Sequence, residues 1–328
     1  MKQLVTLALG TTLAVGAFAQ AFPSKPVTFV VPFAAGGPTD LVARQLAEAM
    51  RKPLGNNANI VVENTAGAGG TIAATRVARA PKDGYTLLVW HIGMAATDSL
   101  YKKKQFSALD DFEYLGAIND VPMTLLGSNK LNANTYRDFE AYIRSNGGKL
   151  NLAHAGLGSA SHICGLMWQH AVKLDKSMTT IAYRGTGPAM NDLIGGQVDV
   201  MCDQTTNTTS QIEGGRVKAF AVTTAKPLSN HPILKHYPSL QEMGLKGFNL
   251  TIWHGMYAPK GTPPDVLKKL NDALKVALKD PEFIKRQEEL GAIVVTDDRV
   301  TPEGHKKFVA NEIAKLKVVI DAAGQYAD

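Results

Sequence analysis

Two periods of hydrophobic patterning alternate along this chain. Short β-branched runs give way to segments whose apolar residues recur at helical spacing, with glycines at the changeovers. Residues 27–31, VTFVV, predict a strand buried on both faces. Gly36 and Gly37 end that run, and the spacing over 39–51 predicts an amphipathic helix. The sequence of events repeats with a strand over 60–63, a turn from Gly67 to Gly70 and a helix over 71–80, before a third strand over 86–90. This order predicts parallel strands joined by helical crossovers. The apolar stretch 114–126, interrupted by Asn119, Asp120 and Pro122, predicts a segment that crosses from one half of the molecule to the other.

A second series starts at Thr135, which with Asp138 three residues on predicts a capped helix. Strands are predicted over 150–153, 179–183 and 197–202. Gly156 and Gly158 introduce a helix that runs through Val172, and Gly185 and Gly187 introduce another through Ile194. A further extended segment over 248–258 precedes helices beginning near Asp265, Pro281 and Glu303. The 328 residues exceed the usual size of a single core, and no low-complexity linker interrupts them. Two α/β lobes are therefore expected, each a mainly parallel sheet flanked by helices. Residues 20–122 and 249–328 would form the first lobe and 123–248 the second, with crossings near 116–124 and 246–256.

Lys2, an apolar run from Leu4 to Val15 and the triplet Ala17, Phe18, Ala19 read as a signal peptide over 1–19, which predicts an exported, periplasmic chain. The formal charge of +6 is scattered, and its one compact run, Lys102 to Lys104, lacks interleaved aromatics, so no nucleic-acid surface is expected. Cys164 and Cys202 are the only cysteines. Export would let them pair, and two buried thiols are the alternative.

Helix N-termini present unpaired N–H groups and the positive end of the backbone dipole, and glycine lets a ligand approach that backbone closely. Four such starts predict an anion site beyond the carboxyl ends of the strands, between the lobes. Its candidate residues are Phe33, Ala35 and Gly36 on the first turn, Ala68 and Gly69 on the second, Ser159, Ser161 and His162 on the third, and Arg184, Gly185 and Thr186 on the fourth. Arg184 can pair its planar fork with a carboxylate or face solvent. His162 can touch a ligand or cap its helix. Asp203 would repel a bare anion but can accept from a hydroxyl, an ammonium group or water, whereas Asp40 reads as a helix-start stabiliser. Dinucleotide, P-loop, nucleophile-elbow and zinc-protease motifs are all missing from these turns, so neither an enzyme nor a cofactor is expected.

The segments PFAAGGPTD, VVENTAGAGG, PKDGYTLL, GSASH, YRGTGPAMNDLIGGQVDVMCD and WHGMYAPKGTPPDVLKKLN, in this order, resemble the periplasmic solute-binding components of tripartite tricarboxylate transporters, the Bug family. The resemblance covers nearly the whole chain after the signal. It implies a two-lobed Venus-flytrap fold with two crossing strands; a monomer is expected. Such a receptor closes on a small organic carboxylate, mono- or dicarboxylic and aromatic or aliphatic, through the four turns, and delivers it to integral membrane transporter subunits. A ligand-loaded sensory module for a membrane receptor is the alternative. Thr65 and Ala66 stand where arginine and proline are common in that family, and Trp90 and His91 where small residues are usual.

Overall fold

A computed structural model describes residues 22–55, 58–103, 105–175 and 177–323. The predicted signal peptide and Lys104 lie outside these residues. Among the described residues, no helix is long and apolar enough to cross a membrane.

The first lobe opens with strand β1 (Val27–Val31), helix α1 (Pro38–Leu54), strand β2 (Ile60–Asn64), helix α2 (Thr71–Ala78), strand β3 (Thr86–His91) and helix α3 (Gly93–Leu100). Strand β4 (Phe112–Gly127) then leads into the second lobe. There the order is α4 (Tyr136–Asn146), β5 (Asn151–His154), α5 (Ala160–Ala171), β6 (Thr179–Ala182), α6 (Thr186–Gly195), β7 (Val200–Gln204), α7 (Thr205–Glu213) and β8 (Lys218–Val222). Strand β9 (Thr251–Pro259) returns to the first lobe. It is followed by α8 (Pro264–Ala277), α9 (Pro281–Glu289), β10 (Ile293–Val294) and α10 (Pro302–Ala323).

Each lobe combines three parallel strands with antiparallel crossing strands. In the first, β2, β1 and β3 are parallel, and β9 and β4 add on antiparallel. In the second, β6, β5 and β7 are parallel, with β4 antiparallel to β7 and β8. Strand β4 belongs to both sheets: residues up to Pro122 pair with β9, and residues from Met123 pair with β7 and β8. On the return path the Leu250 N–H still bonds the Thr223 carbonyl of the second lobe, while Thr251 already faces Pro122 of the first.

Helices cover both faces of each sheet, which is why strands such as β1 are apolar on both sides. On one face of the first lobe Leu46 and Met50 of α1 pack with Leu270 and Leu274 of α8 and Phe283 of α9. In the second lobe Phe139 stacks on Phe220 with ring centroids 4.3 Å apart, and Trp168 closes the cluster at 5.4 Å from Phe139. Cys164 on α5 and Cys202 on β7 form a disulfide, with Cα atoms 6.0 Å apart.

Four elements go beyond the sequence reading: α3, α7, β8 and β10. Helix α7, TTNTTSQIE, is rich in threonine, whose branched side chain disfavours helix in isolation. Tertiary packing overrides that preference, with Thr205, Thr206, Thr208, Thr209 and Ile212 all buried.

Candidate ligand-binding cleft

Helices α1, α5, α6 and α7 all begin at one narrow, nearly filled cleft between the lobes. Phe33, Pro38, Thr39 and His91 line it from the first lobe. Ala155, Ser159, Ala160, Ser161, Thr186, Asp203 and Gln204 line it from the second. Larger hollows lie on the outer surface, but the one bounded by Leu166, Met167, Leu245 and Phe248 is predominantly apolar and gathers no helix starts.

On the first-lobe wall the polar side chains are held from behind. His91 Nδ1 accepts from the Gly93 N–H at 3.0 Å. Burial pushes the His91 pKa down to about 3, so the ring is neutral and carries its proton on Nε2. Phe33 stacks on the His91 ring at 4.8 Å. The Thr39 hydroxyl lies 3.2 Å from His254 Nε2, His254 Nδ1 lies 2.8 Å from Asn119 Oδ1, and Asn119 Nδ2 donates to Gln287 Oε1 at 2.6 Å. All four of these side chains are buried. Because the Asn119 amide gives its N–H to Gln287, its oxygen takes the His254 Nδ1 proton, and His254 Nε2 accepts from Thr39.

On the second-lobe wall Ser159 caps α5, its hydroxyl accepting from the His162 N–H at 3.3 Å. Ser161 accepts from the Ala155 N–H at 2.9 Å. Asp203 is fully buried, and Asn207 donates to its Oδ2 at 2.6 Å. Burial pushes the Asp203 pKa up to about 7, against the pull of Asn207, the Gln204 amide and the Thr186 hydroxyl. Asp203 Oδ1 and Gln204 Oε1 have no hydrogen-bond partner among the described residues.

The lips of the cleft meet backbone on backbone, so the two lobes are closed. The Ala34 N–H bonds the Arg184 carbonyl at 2.9 Å. The Tyr101 hydroxyl, at the end of α3, shares its proton between the Ala68 carbonyl of its own lobe (2.8 Å) and the Leu157 carbonyl of the other (2.9 Å). Gly69, at φ +62°, faces the Leu157 carbonyl so closely that a Cβ there would overlap it. A Cβ on Gly185 would stand 2.9 Å from the Ala34 nitrogen.

Five of the residues singled out in the sequence line the cavity: Phe33, Ser159, Ser161, Thr186 and Asp203. Gly69 and Gly185 form the lips, and Ala68 contributes its carbonyl there. Ala35 and Gly36 are exposed, and the Gly36 N–H is committed to Asp40 at 3.0 Å. Burial opposes the Asp40 charge, but hydrogen bonds from Arg44, Gly36 and Asn64 hold its pKa below the usual carboxylate value. His162 caps the preceding turn, Nδ1 accepting from the Gly158 N–H at 3.2 Å. The Arg184 side chain is exposed, and that residue meets the other lobe through its carbonyl. Thr39, His91 and Gln204 are the polar wall residues beyond the sequence-derived set. Gln204 could have been found from one signal, a strand running through Asp203 directly into α7 with no glycine between them.

Two α/β lobes joined by crossing strands and shut over a cleft of helix starts define the class of periplasmic solute-binding proteins. Residues 42–325 match the model of the tripartite tricarboxylate transporter family receptor, TctC, and the chain belongs to that family. The periplasmic binding protein BugD is 47% identical, with a TM-score of 0.89 over 94% of this chain and 100% of BugD. MatC from Rhodopseudomonas palustris, solved with bound malate, is 38% identical with a TM-score of 0.85, covering 91% of this chain and 100% of MatC. An R. palustris protein solved with adipate is 30% identical with a TM-score of 0.85, covering 92% and 98%. The chain is a solute-binding protein of the Bug type, not an enzyme.

Proposed function

We propose that this protein captures a small organic carboxylate, mono- or dicarboxylic, between its lobes in the periplasm and delivers it to the membrane subunits of a tripartite tricarboxylate-type transporter. The observation that carries this reading is the convergence of four helix N-termini from both lobes on one closed cleft. Unpaired N–H groups at those starts favour an anion, and the neutral His91 ring offers a further N–H without a counter-charge. Two relatives carry dicarboxylates, malate and adipate, which supports the same ligand chemistry here.

Binding and closure are one process in this scheme. The carboxylate docks on one wall, the crossing strands flex, and the second wall brings its helix starts to the far side. Each helix end contributes about 0.3–2 kcal/mol, and each charge-assisted hydrogen bond about 1.5–3 kcal/mol. After ordering costs, a few such contacts leave roughly the 8 kcal/mol of micromolar affinity. Phe33, Thr39, His91, Ser159, Ser161, Thr186, Asp203 and Gln204 would touch the guest, with the Gly69 and Gly185 turns shutting over it.

Calorimetry on the protein lacking residues 1–19, with a panel of mono- and dicarboxylic acids, tests the reading. Micromolar or tighter binding of at least one acid is expected, with neutral sugars silent. Binding of sugars or cations alone would overturn it. Delivery is tested separately, by carboxylate uptake in vesicles that hold the transporter subunits, with and without this protein.

A further inference from the structure

Among the residues that line the cleft, Asp203 alone carries a carboxyl group. It is fully buried, Asn207 donates to Oδ2, the Thr186 hydroxyl and the Gln204 amide also pull on the carboxyl, and Oδ1 has no hydrogen-bond partner of its own among the described residues. Gln204 Oε1, next to it in sequence and also on the cleft, is likewise without one. Across the gap Thr39 gives its proton to His254, because the Asn119 and Gln287 amides behind it fix the direction of the chain. Its hydroxyl oxygen therefore turns lone pairs, not a hydrogen, toward the cleft.

Against an ionised Asp203, a guest made of carboxylates alone would set acceptor against acceptor and bring a second negative charge into the cleft. Buried acceptors left unanswered are costly, and a site that hydrogen-bonds a particular group rejects analogues lacking it far more strongly than shape alone can. We infer that the guest bears a hydroxyl or ammonium group next to its carboxylate, and that Asp203 Oδ1 accepts from it. Gln204 and Thr39 flank that donor. The helix starts hold the carboxylate, and Asp203 discriminates among carboxylates. This inference rests on the carboxylate-binding reading above.

Matched acids that differ only in this group decide the matter. The oxidised protein, stripped of any copurified guest by unfolding and refolding, is titrated with propionate, lactate and alanine, with succinate, malate and aspartate, and with glutarate, 2-hydroxyglutarate and glutamate. In the set that binds, a donor-bearing member should bind at least tenfold more tightly than the plain acid. Asp203→Asn should reduce that ratio below threefold and tighten the plain acid. These opposite signs separate discrimination from structural damage, which would weaken both. A wild-type ratio near one would overturn the inference while leaving carboxylate capture intact, and so would an unchanged ratio in a folded Asp203→Asn protein. If Asp203→Asn fails to fold, the wild-type ratio alone decides. Failure of every acid to bind would remove the carboxylate reading itself, and this inference with it.

Discussion

On the first-lobe wall of the cleft the polar side chains already have partners behind them. His91 is fixed by the Gly93 amide, and Thr39 by a buried chain through His254, Asn119 and Gln287. On the second-lobe wall Asp203 Oδ1 and Gln204 Oε1 have none among the described residues. One wall is set before a guest arrives, and the other is left with unmet capacity. Closing an empty cleft over a buried carboxylate is unfavourable, so a guest with a matching donor stabilises the closed state more than the open one. Under the proposed reading, the difference makes the second lobe the energetic switch and the first lobe the template.

The strongest way to break this asymmetry is to loosen the second wall. The Cys164–Cys202 disulfide, 38 residues apart in sequence, ties α5 to the strand that carries Asp203. Reducing it should lower unfolding stability by about 4 kcal/mol, read as a lower thermal midpoint with reductant than without. An unchanged midpoint would show that the bridge does not brace this wall.

The buried charge itself can be weighed by pH. Burial raises the folded pKa of Asp203 to about 7, so the folded state binds more protons than the unfolded one between roughly pH 4 and 7. Its contribution to stability therefore falls as pH rises through that window and stays low above it. Asp203→Asn should be more stable than wild type at pH 8, by up to about 4 kcal/mol at full burial, and the two should converge near pH 4. Chemical denaturation at both pH values checks it. A difference that grows on acidification would have the wrong sign.

Closure can be blocked without touching either wall. Gly69→Val places a branched side chain against the Leu157 carbonyl at a positive φ, and should weaken ligand binding at least a hundredfold with the second lobe still folded. Calorimetry with a binding acid measures it, and wild-type affinity would mean the lips need not meet. The smallest effect is expected at Arg184. Its side chain is exposed and its contact is made by the carbonyl, so Arg184→Ala should change affinity less than threefold.

That last expectation shows where the sequence stops being readable. Glycine turns after β-branched runs announced α1, α2, α5 and α6, because the local rules for ending a strand and starting a helix lie within a few residues. Three of those helix starts line the cavity. The fourth, at Gly69 and Gly70, became a lip because the opposing Leu157 carbonyl occupies the space a guest would need. Helix α7 took its place unannounced, since its threonines obey packing and not propensity. Thr39 and His254 lie 215 residues apart, and no local pattern could pair them. Whether Arg184 turned its guanidinium or its carbonyl to the other lobe depended on the closed approach of Ala34, which only the folded chain defines.

The lips carry a consequence for what can be carried at all. Where they meet, Gly69 abuts the Leu157 carbonyl and Gly185 abuts Ala34, and at these two points no part of a guest could pass. If the proposed reading holds, a guest with a long tail would have to avoid both contacts, and unloading would begin by breaking the Ala34–Arg184 and Tyr101–Leu157 hydrogen bonds that join the lobes.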